Sequence, residues 1–166
     1  MAYLEELTSF KEEALRLIVT NPRIMQAVVN NEEECFLNLV ENPGSYLYKN
    51  IFPYRHTIPE VEKEKKTYIT MDFANFALIN NYYKDFTMGI YVFTHKDLMK
   101  IKEDGHNKLR VDFIISEIDK IFNRARGFGI GRLQFSGLQS LTINNNFLGS
   151  VIIYETIEFN SESPKT

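Results

Sequence analysis

The residues of this chain that could do chemistry are few and scattered. The histidines are His56, His95 and His106. His95 and His106 flank a charged stretch, Lys96–Lys108, that carries Asp97, Glu103 and Asp104. An acid/base or metal site is conceivable there. No histidine stands four residues from another, or beside a helical glutamate, as metal-ligand spacing would require. Cys35 is the single cysteine, which excludes an internal disulfide and a cysteine-cluster metal site. It lies in an apolar context without a basic neighbour to lower its pKa, so it reads as a small buried hydrophobe. The run Gly127-Phe-Gly-Ile-Gly131 has the composition of a phosphate loop. Its glycines, however, follow a helix and precede a strand, the reverse of a nucleotide-binding arrangement, so a helix-to-strand turn is expected. Lys63, Lys65, Lys66, Arg124, Arg126 and Arg132 are interleaved with acids or lie apart. The formal net charge of -3 gives no general attraction to nucleic acid or an anionic membrane. We expect no catalytic residue, no cofactor and no metal.

The elements that must position these residues centre on Phe86–Ala125. Val111, Ile114, Ile115, Ile118, Ile121, Phe122 and Ala125 recur at helical period. Arg110, Asp112, Glu117, Asp119, Lys120 and Arg124 are left for the remaining surface. Upstream, Met88, Ile90 and Val92 alternate with Gly89, Tyr91 and Phe93, a strand with bulky residues on both faces. A second strand is expected over Thr67–Ala74. Two more, Leu133–Ile143 with a bulge at Gly137 and Phe147–Phe159, should form a hairpin about Asn144-Asn145-Asn146, since asparagine tolerates positive φ.

The chain reads as one domain, 1–166. Residues 1–44 are short helices: 3–19, a second restarted by Asn21-Pro22, and a third over Glu32–Val40 stopped by Pro43-Gly44. Residues 45–66 are a connector pinned by its aromatics, 67–160 a sheet–helix core, and 161–166 a frayed polar tail. The fold class expected is α+β: a mostly antiparallel sheet of about four strands packed by one long amphipathic helix. With 44% hydrophobic and 25% charged residues a real core can form. No apolar run is long enough to span a membrane, and Glu5 and Glu6 give no sign of a signal peptide, so cytosolic synthesis is expected.

An aromatic surplus remains: Tyr 9 and Phe 13. Tyr68, Tyr91 and Tyr154 each sit opposite the greasier side of a strand. Either the N-terminal helices cover that second face, or part of it meets another subunit. Candidate interface residues are Tyr68, Tyr91 and Tyr154, with Asp97, Lys100 and Lys102 in the charged stretch Lys96–Lys108, which reads as a polar loop, and the polar loop Ile79–Asp85.

Thr67–Ala74, Phe86–Leu98, the helix Arg110-Val-Asp-Phe-Ile-Ile-Ser-Glu-Ile-Asp-Lys-Ile-Phe-Asn123, the glycine turn and a hairpin ending Ile152-Ile-Tyr-Glu-Thr-Ile-Glu158 together resemble the tail-terminator and tail-completion (neck) proteins of tailed bacteriophages. The resemblance covers residues 50–160. It implies a structural virion protein, made in the bacterial cytoplasm, that forms a homo-oligomeric ring, usually a hexamer. Its partners would be the tail tube protein and head-completion proteins, with DNA only passing through the lumen. The alternative is a small intracellular protein-binding or adaptor domain; an enzyme using His95, Asp97 or His106 ranks third.

Overall fold

The computed structural model describes residues 6–59, 62–79, 83–125 and 132–156. Two helices open the chain, α1 (Glu6–Val19) and α2 (Pro22–Val29). Asn21 caps α2 with its side-chain oxygen, which accepts from the amides of Arg23 and Ile24, and Pro22 occupies the first helical position. Then come β1 (Ile51–Phe52), β2 (Thr67–Ile79), β3 (Tyr83–His95), β4 (Lys100–Glu103), β5 (His106–Leu109), α3 (Arg110–Phe122), β6 (Leu133–Thr142) and β7 (Phe147–Thr156).

Five strands make one mixed sheet in the order β1-β2-β3-β7-β6. All neighbours are antiparallel except β1 and β2. The expected antiparallel sheet of about four strands is therefore extended by a two-residue parallel strand from the connector. The fold is α+β with three α-helices among the described residues, and α1 at 14 residues is as long as α3 at 13.

Period-2 alternation gives the sheet two different faces. Ile69, Met71 and Phe73 of β2, Met88, Ile90 and Val92 of β3, and Ile152 and Tyr154 of β7 are buried under the helices. Val111, Ile114, Ile118 and Phe122 of α3 pack into that layer, with Ile121 half-buried at its margin. Phe113 is buried too, although it falls off the predicted stripe. The N-terminal helices add Ala14, Ile18, Ile24, Met25 and Val28 to the same layer. They thus do not cover the second face. There Phe52, Ile58, Tyr68, Phe93 and Phe147 form a separate buried cluster, roofed by the connector.

Three expectations are corrected. Glu32–Val40 is a series of turns and bends, not a helix. Lys96–Lys108 is not a loop: a single 3-10 turn (Lys96–Leu98) leads into the hairpin β4–β5, whose two-residue turn places Asp104 at φ 50° and Gly105 at φ 77°. That is the mirror-image turn that matches strand twist. Of the expected polar loop Ile79–Asp85, Ile79 ends β2 and Tyr83–Asp85 open β3, while residues 80–82 lie outside the described residues. The glycine run 127–131, Arg126 and the tail 161–166 lie outside the described residues, so the proposed glycine helix stop does too. The left-handed residue seen after α3 is Arg124, at φ 66°.

At the β6–β7 connection the turn forms for another reason than the one expected. No positive φ occurs at residues 144–146. The Asn144 side-chain oxygen instead accepts from the amides of Asn146 and Phe147. The bulge falls where the sequence placed it, with the register shifting between Phe135 and Gly137.

Candidate interaction surfaces

The charged stretch is tied down on both sides. Glu103 accepts from Arg23 at 2.7 and 3.0 Å and from Lys108 at 3.2 Å. Burial pushes its carboxyl up, but these hydrogen bonds outweigh burial and hold it below the usual carboxylate range. The Lys102 amide donates to the Glu33 carbonyl, and the Glu33 carboxylate lies within 3.4 Å of the Lys102 ammonium and 3.8 Å of that of Lys100. Arg23 also stacks over Phe36 and Phe113, at 4.7 and 5.1 Å from the ring centres. Beside this cluster lies a groove of about 490 Å³ lined by Arg23, Phe36, Leu37, Lys102, Glu103 and Gly105.

Asp97 and Lys65 form an exposed ion pair at 2.9 Å, which lowers the Asp97 pKa chiefly through the lysine's hydrogen bond. His95 is buried, and its Nδ1 accepts from the Asp97 amide at 3.1 Å while its ring meets Phe147 edge-on. His106 is exposed in β5, and His56 stacks on Phe52 with ring centres 4.1 Å apart. The three histidines thus serve three separate settings. Among the described residues no group of three or more His, Cys, Asp or Glu could hold a metal ion. Cys35 is buried, and burial pushes its thiol up, away from nucleophile behaviour. Lys63, Lys65 and Lys66 remain spread along the connector, and Lys66 pairs with Glu64 at 3.4 Å. Arg124 and Arg132 meet at a second depression, with Asn123, Gln134 and Phe135.

The three tyrosines proposed for an interface are mostly used inside the monomer. Tyr154 is fully buried, and its hydroxyl donates to Asp119 at 2.8 Å; burial first, then this bond, pushes its pKa up. Tyr68 is buried between Phe93 and Phe52, and desolvation, with Glu62 and Glu64 nearby, raises it to about 12. Neither presents a surface to a partner. Tyr91 is half-buried beneath the Arg55 guanidinium, 3.9 Å from its ring centre.

Arg110, assigned to the surface by its spacing, is completely buried. Its guanidinium donates to five carbonyls: Leu98 through Nε, and Ala27, Asn30, Asn31 and Glu32 through the two terminal nitrogens. All but that of Leu98 belong to the end of α2 and the turn after it, where helix carbonyls lack partners and carry partial negative charge. Burial lowers the Arg110 pKa, but an arginine remains charged. The planar fork pins the chain where it leaves α2: the Asn30, Asn31 and Glu32 carbonyls are turned onto the arginine. A signal was present, because a cation at the first position of a helix opposes the helix dipole and needs another reason to be there.

The exposed apolar surface lies elsewhere. β6 is an edge strand with one neighbour, β7. Phe135 is 44% exposed and Leu138 is 53% exposed, and of its ten residues Leu133 alone is buried. None of the ten is charged or proline. Leu37, which lines the Arg23–Glu103 groove, and Leu39 are also well exposed.

These features define an α+β domain with one sheet face under helices, an aromatic second face under a connector, and an open apolar edge. The family profile described as YomW matches residues 21–156, and the chain belongs to that family. It is therefore phage-related. No curated protein and no solved structure matches the chain. No helix among the described residues is long and apolar enough to cross a membrane.

Proposed function

We propose that this chain is a structural virion protein of the tail-terminator or neck type, which acts by self-association and docking and has no chemistry of its own. Copies close into a ring that caps the tail tube and joins it to the head. Its partners are the tube protein and the head-completion proteins, and DNA passes through the lumen. The observation that carries this reading is membership of a phage-related family, matched over residues 21–156. The fold is compatible with it: the chain offers an uncharged open sheet edge with exposed Phe135 and Leu138, the kind of surface an assembling subunit covers. The acidic balance of the chain also fits a lumen that does not grip phosphates.

The test deletes the gene from its phage and inspects the lysate by electron microscopy. Filled heads beside unjoined tails of irregular length are expected. Normal joined virions would refute the reading, and so would the complete absence of tails, which points to a tube or baseplate role.

A further inference from the structure

The central sheet is open at both sides. At one side stands β6, with β7 as its neighbour and no described strand beyond it. At the other, β1 pairs with β2 only at Ile51↔Ile69 and Phe52↔Thr70. From Asp72 to Ile79, β2 has β3 on one side and no described strand on the other. The two open edges are of similar reach, eight residues in 72–79 and ten in Leu133–Thr142.

Natural edge strands are usually blunted by lysine, proline, bulges or short length. β6 has one bulge, after Phe135, and then Gly137–Thr142 pairs with β7 without interruption. The open part of β2 has one bulge, between Ala74 and Ala77, and a single charge, Asp72. Lysine and proline are absent from both. Each edge presents a row of backbone N–H and C=O groups that can pair with those of another strand.

Strand direction fits as well. β3 runs against β2, β7 against β3, and β6 against β7. β6 therefore runs opposite to β2. A second copy in the same orientation would bring its β2 against β6 as an antiparallel neighbour, which continues the alternation of the sheet. Two different patches meet in such a contact, so it repeats head to tail and closes when the rotation allows.

We infer that copies of this chain join edge to edge, β6 of one pairing with the 72–79 part of β2 in the next, so that the sheet runs on between subunits. This shares with the functional reading the premise of self-association, and it names the surface that makes it. A two-fold β6–β6 contact would leave the β2 edge open; the head-to-tail contact covers both.

The experiment uses the full chain with cysteines placed at two exposed or half-exposed edge positions, Gln139→Cys and Asp72→Cys, and a short thiol-specific cross-linker. The native Cys35 is buried, and the unmodified chain gives the background. The double variant should give a ladder of dimers, trimers and larger species. Each single variant should give no more than the background, while an equal mixture of the two singles should stop at dimers. Dimers from Gln139→Cys alone would overturn the inference in favour of a two-fold contact. No species above background in the double variant would overturn it outright.

Leu138→Lys supplies the independent measurement. It should shift the chain to monomer at concentrations where the native chain associates, and at dilutions where both are monomeric the melting curves should agree, because Leu138 is exposed. Unaltered association of this variant would also overturn the inference. Failure here with unjoined heads and tails in the deletion lysate removes the edge contact and leaves the terminator reading standing. A ladder together with normal virions does the reverse.

Discussion

Replacing Arg110 by lysine should destabilise the protein well beyond what the retained charge suggests. The guanidinium serves five carbonyls, and two of them, those of Ala27 and Leu98, are held in buried bonds. The bonds to Asn30, Asn31 and Glu32 are part-buried, so water can replace much of them. A buried acceptor left unsatisfied costs about 1–3 kcal/mol. Arg110→Met strands both buried carbonyls, and doubling that cost gives a loss of about 2–6 kcal/mol. An ammonium has three N–H groups on one nitrogen and can keep one of the two, so Arg110→Lys should cost about 1–3 kcal/mol. Domains of this kind have about 5–15 kcal/mol in total, so either variant removes a large share. Urea unfolding followed by circular dichroism would measure it, with the midpoint falling and the slope unchanged. Hydrogen exchange should rise first in residues 30–40, which the arginine holds. If Arg110→Lys stayed within about 0.5 kcal/mol of the native chain, as a surface substitution does, the five-carbonyl pin would not be what fixes this segment.

Other outcomes follow from single contacts. Gly149 lies opposite Phe93, where a methyl group would overlap the Val92 carbonyl oxygen and the Phe93 Cα, so Gly149→Ala should push β7 from β3 at a cost of about 1–3 kcal/mol, read as a lower melting temperature. An unchanged melt would mean the strands do not approach so closely. Glu103 is held below its ordinary pKa in the folded chain, so its stabilising contribution is present above the unfolded glutamate value and is lost as pH falls through the folded one. The stability gap between the native chain and Glu103→Gln should therefore be larger at pH ~7 than at pH ~3, since a free glutamate titrates near ~4.3; an equal gap at both would count against the Arg23–Glu103–Lys108 cluster.

The sequence by itself determined the parts that depend on short-range pattern. Period-2 alternation marked the four long strands, period-3.6 spacing marked α3, and Asn21-Pro22 marked the start of α2, because each of these is decided by neighbours a few residues away. Strand lengths came out short at the β2–β3 end, because cross-strand pairing carries β2 on to Ile79 and brings β3 back to Tyr83, beyond the reach of each local pattern. The charged stretch Lys96–Lys108 lacked an apolar face, so the hairpin β4–β5 was not legible, although its Asp-Gly pair was a turn signal. Tertiary structure alone decided which polar groups went inside. Arg110 looked like surface because its type and spacing are those of a surface residue; it is buried because five carbonyls from two other segments converge on it, which no local pattern encodes. Tyr154 and Tyr68 looked available for a partner, but Asp119 and the connector claimed them. The exposed positions of β6 followed from its place at the sheet edge. Its lack of charge is a property of the sequence, but strand order is a long-range property, and only the folded chain shows that Phe135 and Leu138 have no described strand on their outer side.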